Sequence, residues 1–492
     1  MRSDPSSNEG PPAGLTGGPT SPDARRVLLV NPNRCEQPYP VYPLGLAYLQ
    51  RALRAFGCAT ATWDALAAAD TLESRIRSFA PTAVALSMRN VDNVQAHNAR
   101  SFVGELLDTC RRIRDATKAP LILGGSGFSL FPRELFELTG ADYGIQGEGE
   151  ASLVRLLEAL ESAGPLESLP GLVHRGADGR TRVNPPVPGR PSFDAEPEHD
   201  AQVLRAYAGR GSLPGVQTQR GCPLLCCYCT YPLIEGTRSR YRSADHIVRE
   251  MGRLVELGVK YTFVVDSVFN TNAEHVARIC EALVAARLGM EWQCFLRPRN
   301  LSRKLLELMK RAGLRHIEFG SDSLSDPVLK RYGKGFTYEE ILGASTAARE
   351  LGIKFSHFLI FGGPGETPET VEETLSRAQG ISGSLYFASI GMRIYPGTPL
   401  WREVAPEERG QTPSDYLATP RFHLERPFTV EDLYGRLQRH RERHHNWVVG
   451  DPSPEFLETM EKLRARGVRG PMWEYIETLQ RVAGSPSGGG GK

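Results

Sequence analysis

Three thiols raise the first chemical question. Cys222, Cys226 and Cys229 stand in a C-x3-C-x2-C spacing inside the run Arg220-Gly221-Cys222-Pro223-Leu224-Leu225-Cys226-Cys227-Tyr228-Cys229-Thr230. Soft thiolates in one short loop select zinc or an iron–sulfur cluster. Zinc sites and ordinary ferredoxin-type clusters take four protein ligands. This loop supplies three, and no second C-x2-C follows it. A cubane held by three thiolates leaves one iron open to a substrate or a cofactor. Cys227 lies between two of the proposed ligands, so its side chain is expected to point away and pack.

The loop resembles the cluster loop of radical S-adenosylmethionine (SAM) enzymes, including the aromatic Tyr228 just before the third cysteine. The preceding QRGCP resembles in particular the subgroup with an N-terminal cobalamin-binding domain, and the likeness runs over roughly residues 26–400. It implies a 4Fe-4S cluster on Cys222, Cys226 and Cys229, with SAM at the open iron and Tyr228 beside it. It also implies cobalamin in the N-terminal domain and an external electron donor of the flavodoxin or ferredoxin type. A zinc knuckle, or thiols that merely pack, is the competing reading.

The whole chain is compatible with this. Its 492 residues are enough for two or three domains. With 59 basic and 57 acidic residues the formal net charge is +2, which argues against a nucleic-acid partner. Nine cysteines, odd in number and scattered, do not make a disulfide framework. A reducing cytoplasmic setting is expected. Residues 1–24 lack the apolar core of a signal peptide and, being rich in Pro, Gly and Ser, are expected to be a disordered tail ending by residue 25. Residues 484–492 read as a flexible tail, and no apolar run is long enough to span a bilayer.

The elements that must position the chemistry alternate strand and helix, the mark of an α/β fold. Over residues 26–165, strands are expected at Arg26–Pro32, Ala59–Trp63, Thr82–Ser87, Pro120–Gly124 and Asp142–Ile145. Helices are expected at Pro43–Phe56, Ser101–Ala116 and from Glu150. This is a Rossmann-like, doubly wound parallel sheet, whose ligands sit at the carboxyl ends of the strands. Those ends carry Asn31 and Pro32; Ser87, Met88, Arg89 and Asn90; Gly124, Gly125 and Ser126; and Gly147, Glu148 and Gly149. The glycines permit close backbone approach to a bulky ligand. The GGSG and GEGE turns resemble the family's cobalamin-binding domains. The first turn lacks G-x-G-x-x-G, which disfavours a dinucleotide. The D-x-H-x-x-G motif that supplies a lower cobalt ligand in many cobalamin proteins is missing. The only histidine before the linker, His97, does not match it and reads as a helix-surface residue.

Residues 166–210 read as a linker containing a hairpin that turns at Asp178-Gly179. Over 211–400, strands at Val216–Gln219, Tyr261–Asp266, Glu291–Leu296, His316–Gly320, Lys354–Phe361 and Leu385–Ile394 predict a partial (β/α)6 TIM-type barrel. Chemistry on such a barrel lies at the carboxyl ends of its strands. Asp266 and Ser267 stand where the family holds the SAM amino group, although the usual G-G-E run is absent. Arg297 meets the SAM carboxylate or a substrate acid, or else pairs with a barrel glutamate. Glu318 and Ser321, in a stretch resembling E-x-G-x-E/D-S, suit the ribose hydroxyls. LKRYGKGFT also matches the subgroup. Gly362 and Gly363 allow backbone amides to reach the adenine edge. Tyr395, before a YPGTPL run that also resembles the subgroup, either faces the substrate or packs the barrel mouth. Residues 401–483 read as a helical region, in which His440 and His444 form either a metal pair or, the favoured reading, part of a solvated basic face.

The resemblance implies a cobalamin-dependent methyltransferase acting on an unactivated carbon of a small molecule, natural-product or lipid-like. SAM cleavage would give a 5′-deoxyadenosyl radical, and methylcobalamin would carry the methyl group. Three alternatives stand beside it: a cobalamin-dependent rearrangement or cyclisation; a methylthiotransferase, which needs a second cluster on N-terminal cysteines, of which only Cys35 sits in a strand-end loop while Cys58 and Cys110 read as structural; and a non-catalytic cobalamin or SAM sensor.

Overall fold

The protein, a computed structural model, is described here over residues 25–36, 40–186, 193–410 and 413–450, with shorter stretches between 458 and 475. The tails expected at residues 1–24 and 484–492 lie outside the described residues.

The first sheet contains β1 (Arg26–Asn31), β2 (Ala59–Asp64), β3 (Ala83–Ser87), β4 (Leu121–Gly124), β5 (Tyr143–Ile145), β6 (Leu172–Arg175) and β7 (Thr181–Val183). Their order is β2-β1-β3-β4-β5-β6-β7, with β1 to β5 parallel. Val27 to Val30 are all fully buried because helices cover both faces, as a central parallel strand requires. The chain leaves β1 in opposite directions for β2 and β3, so the crevice between the carboxyl ends of β1 and β3 is the topological switch point. The hairpin read as part of the linker is built into this sheet, since β6 pairs antiparallel with β5. Its apolar Leu172 and Val173 complete the two faces of the core.

The second sheet is parallel, with the order β18-β15-β14-β13-β12-β11-β8. Its strands are β8 (Gly215–Val216), β11 (Tyr261–Val264), β12 (Glu291–Leu296), β13 (Leu314–Asp322), β14 (Lys354–Phe361), β15 (Ser384–Ile390) and β18 (Trp447–Val449). Two short antiparallel pairs flank it: β9 (Gln219–Arg220) with β10 (Arg240–Tyr241), and β16 (Met392–Arg393) with β17 (Phe422–His423). The six expected units are present, and a seventh strand joins them. β18 comes from the region read as mostly helical and pairs with β15. Its Trp447 stacks on Tyr386 at 4.7 Å.

Side chains alternate along the barrel strands. Trp292, Ile317, Phe319 and Phe355 point outward into the helix-covered core. Inside, four phenylalanines follow one another around the wall: Phe263 to Phe295 at 4.9 Å, Phe295 to Phe358 at 6.4 Å, and Phe358 to Phe387 at 4.8 Å between ring centroids. Phe295, Phe358 and Phe387 are only half-buried, so they line accessible space within the barrel. Trp473 closes the amino end: its indole N–H donates to Glu318 at 3.2 Å and its ring meets His316 edge-on at 5.1 Å.

Candidate active site

The cluster loop follows β9 and is fixed from three sides. Gly221, at φ +88°, lies so close to the Arg238 carbonyl that an added Cβ would stand 2.1 Å from its oxygen. The Cys222 amide donates to the Gly236 carbonyl and the Cys227 amide to the Tyr332 carbonyl, both at 3.0 Å. Cys222, Cys226 and Cys229 are free thiols. Burial raises the Cys226 thiol and pushes Cys229 up to about 12, and each is raised further by the other thiols of the set. One buried and two half-buried thiols that would repel one another as thiolates are a donor set suited to a cationic cluster. Among the described residues no three His, Cys, Asp or Glu side chains converge on a single ion. A cubane instead presents its irons at separate corners, and its three thiolates need not meet at one point. Cys227 turns the other way, its Sγ 3.6 Å from the Met392 sulfur in an apolar cluster with Val328 and Tyr332.

Tyr228 donates its hydroxyl to Asp322 at 2.6 Å, and Lys334 Nζ pairs with the same carboxylate oxygen at 2.7 Å. Neither Asp322 nor Lys334 was among the expected site residues. Counting by twos from the inward-facing Glu318 would have placed Asp322 inside the barrel.

The other barrel residues divide. Arg297 is partly buried, has no carboxylate partner among the described residues and leaves its buried Nε without an acceptor. Burial and the nearby Arg299 lower its pKa, and it lies within electrostatic reach of Cys226 and Cys222. The Ser267 hydroxyl is likewise buried without a partner among the described residues. Asp266 differs from expectation. It is fully buried, and its carboxylate accepts from the Thr218 amide at 2.7 Å, the Gln219 amide at 3.1 Å and the Thr218 hydroxyl. It therefore fixes the strand before the cluster loop, and burial pushes it up to about 7. Ser321 also differs. Odd-numbered where Glu318 is even, it faces the helices and bonds to His357 Nδ1 at 2.7 Å. Glu318 points inward but is held by Gln293 at 3.1 Å and by Trp473, and burial pushes it up to about 7.

Gly362 and Gly363 serve protein packing. A Cβ on Gly363 would lie 2.1 Å from the Tyr332 hydroxyl, and one on Gly362 2.4 Å from Leu424. The Gly362 amide donates to Glu366 and its carbonyl accepts from Glu425, so both backbone groups are satisfied. Tyr395 lies in the seam between the sheets, tilted against Phe131 at 6.4 Å and under the Arg393 guanidinium at 4.6 Å.

At the carboxyl ends of the first sheet, Asn31 and Pro32 are buried, and the Asn31 amide donates to Asp64 at 2.6 Å and Tyr207 at 3.1 Å. Met88 is buried, and Gly125 (φ +97°) packs onto its carbonyl, where a Cβ would stand at 2.4 Å. Arg89 and Asn90 are exposed, Ser87, Gly124 and Gly147 are half-buried, and Ser126 donates to the Arg89 carbonyl at 2.7 Å. Arg89 is within electrostatic reach of Tyr231, which follows the cluster loop. Glu148 is engaged by Arg220 at 3.2 Å and by Arg240, while Glu150 takes Arg220 at 2.7 Å. Gly149 packs on Leu49, where a Cβ would lie at 3.0 Å. His97 sits in a loop, not a helix, and stacks on Tyr434 at 3.6 Å. His440 is not solvated: it is buried against Trp447 at 4.9 Å, and burial lowers it to about 4.

The fold and this site define a radical SAM barrel joined to a cobalamin-binding sheet. The family model described as the radical SAM superfamily matches residues 216–378, and that described as the B12 binding domain matches 35–157. The tryptophan 2-C-methyltransferase of Streptomyces laurentii is 26% identical over 446 residues, 77% of this chain and 74% of that protein. The hopanoid C-3 methylase of Methylococcus capsulatus is 26% identical over 435 residues, 84% and 79% of the respective chains. The solved structure of the radical SAM methyltransferase TsrM from Kitasatospora setae, with cobalamin and a [4Fe-4S] cluster bound, superposes with a TM-score of 0.81 at 26% identity, covering 93% of this chain and 99% of that one. The chain belongs to the cobalamin-dependent radical SAM enzymes, whose cofactors are a 4Fe-4S cluster, SAM and cobalamin. No helix among the described residues is long and apolar enough to cross a membrane.

The residues fit these groups. Three free thiols stand on one loop, and the Arg297 Nε and the Ser267 hydroxyl are buried without a partner among the described residues, a set that could hold a cluster and the polar end of SAM. The second-cluster alternative fails on geometry. Cys58 is buried on one face of the first sheet and Cys110 on the other.

Proposed function

We propose that this enzyme methylates an unactivated carbon of a small molecule whose reacting part is apolar. The observation that carries the reading is the confrontation of two sites. The three-thiol loop at the barrel mouth faces the carboxyl ends of the first sheet, and Arg220 immediately before that loop is clamped by Glu148 and Glu150. When bound, the cluster supplies an electron to SAM and cobalamin supplies a methyl carrier.

The protein's own task is placement. Cys222, Cys226 and Cys229 hold the cluster. Arg297 receives the SAM carboxylate as a guanidinium fork, and Ser267 accepts from its amino group. Ser87, Arg89, Asn90 and Ser126 would contact cobalamin in the switch-point crevice. The half-buried ring of Phe295, Phe358 and Phe387 receives apolar substrate and keeps water from the reacting carbon. An external one-electron protein of the flavodoxin or ferredoxin type reduces the cluster, in a reducing cytoplasm.

The test uses anaerobically reconstituted protein. About four irons per chain, a retained cobalamin spectrum and labelled methyl transfer from SAM to an apolar small molecule support the reading. About four irons without cobalamin retention overturns it.

A further inference from the structure

Lys334 is a buried ammonium pressed against the cluster loop. Its side chain is 8% exposed, and its one ion partner among the described residues is Asp322, at 2.7 Å. The turn that carries it is locked to the loop by backbone. The Tyr332 carbonyl accepts the Cys227 amide, and Gly333 (φ +72°) sits so close that a Cβ would lie 2.6 Å from the Leu225 carbonyl oxygen and 3.7 Å from the Cys226 Cα. Asp322 is also tied to the loop, through the Tyr228 hydroxyl. The ammonium acts electrostatically on both Cys226 and Cys229, and on Cys226 its effect exceeds the opposing one of Asp322.

We infer that Lys334 is the fixed countercharge for the electron this cluster accepts, and that the Lys334–Asp322 pair sets the cluster's reduction potential. The inference rests on the reading that the three thiols hold a 4Fe-4S cluster. With three thiolates the oxidised cluster carries one net negative charge. One electron from a low-potential donor raises that to two, with no bond made or broken and no proton moved. In a site of low dielectric a neighbouring cation favours the more negative state, and a neighbouring carboxylate opposes it. Lys334 therefore raises the potential and Asp322 lowers it. Tyr228 ties the carboxylate to the loop through its hydroxyl and so fixes the pair beside the thiols.

The experiment is a redox titration, followed by electron paramagnetic resonance, of reconstituted full-length protein with dithionite as reductant. Lys334→Met, Lys334→Arg and Asp322→Asn are compared with the parent, and iron is counted in each. A parent without about four irons per chain fails the cluster reading itself and is recognised before any potential is measured. In Lys334→Met the reduced-to-oxidised ratio at the parent midpoint is expected to fall about tenfold, which is about 59 mV for one electron. Lys334→Arg stays at the parent value and Asp322→Asn moves the other way. An unchanged midpoint in iron-replete Lys334→Met overturns the inference. If that variant does not retain iron, Asp322→Asn decides, and no upward shift there overturns it equally.

Discussion

Replacing Arg220 by methionine tests how the two cofactor sites are held together. Arg220 ends β9 immediately before the cluster loop, and its side chain is 9% exposed. Its guanidinium pairs with Glu150 at 2.7 Å and Glu148 at 3.2 Å, and lies 3.9 Å from the Phe193 ring centroid and 4.9 Å from that of Tyr48. Methionine keeps apolar contact with the rings and removes the charge. Breaking a buried ion pair by removing one partner costs about 3–5 kcal/mol, because the other charge is stranded. Two features moderate this. Glu148 keeps Arg240, and the Glu150 side chain retains 23% exposure and rehydrates in part. The loss of cation–π contact adds about 1 kcal/mol. The net expectation is about 3 kcal/mol, roughly a hundredfold in the population of the opened seam. Amide hydrogen exchange of the apo chain reads this directly at residues 147–150 and 217–222. Arg220→Lys, which keeps charge but not the two-pronged geometry, is expected to fall between. Exchange within threefold of the parent in Arg220→Met would refute the assignment of the seam to this clamp. Arg111→Met, which breaks an exposed pair with Asp108, serves as the control that changes nothing.

Substitution of Cys222, Cys226 or Cys229 by alanine is expected to abolish iron retention on reconstitution. Cys227→Ala retains it and loses about 1–2 kcal/mol of stability in denaturant titration, the cost of a small apolar cavity beside Met392. Gly363→Ala drives a methyl group into the Tyr332 hydroxyl, and Tyr332 holds the cluster loop through its carbonyl; a loss of about 1–3 kcal/mol together with reduced iron per chain is expected. Burial pushes the Glu366 carboxyl up to about 8 and Glu318 to about 7. A carboxyl whose folded pKa is raised binds its proton more tightly in the folded state. The folded protein thus loses stability as pH rises from about 4.5 to about 8, and Glu366→Gln should flatten that slope in a series of denaturant midpoints. An unchanged slope would show that Glu366 does not titrate in that window.

Local pattern and spacing were legible from the residues alone. Continuous apolar runs such as Val27–Val30 announced parallel strands, and their alternation with helices announced both sheets. The C-x3-C-x2-C spacing, with Tyr228 beside it, announced the cluster loop. The same alternation put the expected contacts at the carboxyl ends of the strands. What side chains do once they arrive there depends on contacts between residues far apart in the chain, which appear only in the folded molecule. Glu148 read as a cobalamin contact, yet Arg220 and Arg240 are brought to it across the seam, and Arg220 also takes Glu150. Asp266 looked free until Thr218 and Gln219, 48 and 47 residues away, supplied it with three donors. Gly362 and Gly363 offered open backbone until Leu424 and Tyr332 filled the space. Ser321 was the exception, since counting by twos from Glu318 already turned it outward. Trp447 and Trp473, in a segment read as helical, complete the barrel only because their rings bury against strands that precede them by about sixty to a hundred and fifty residues. Such partners leave no local periodicity. A motif fixes which atoms are near one another in sequence, whereas the free energy of burying a charge or a ring depends on whatever else the fold brings to it.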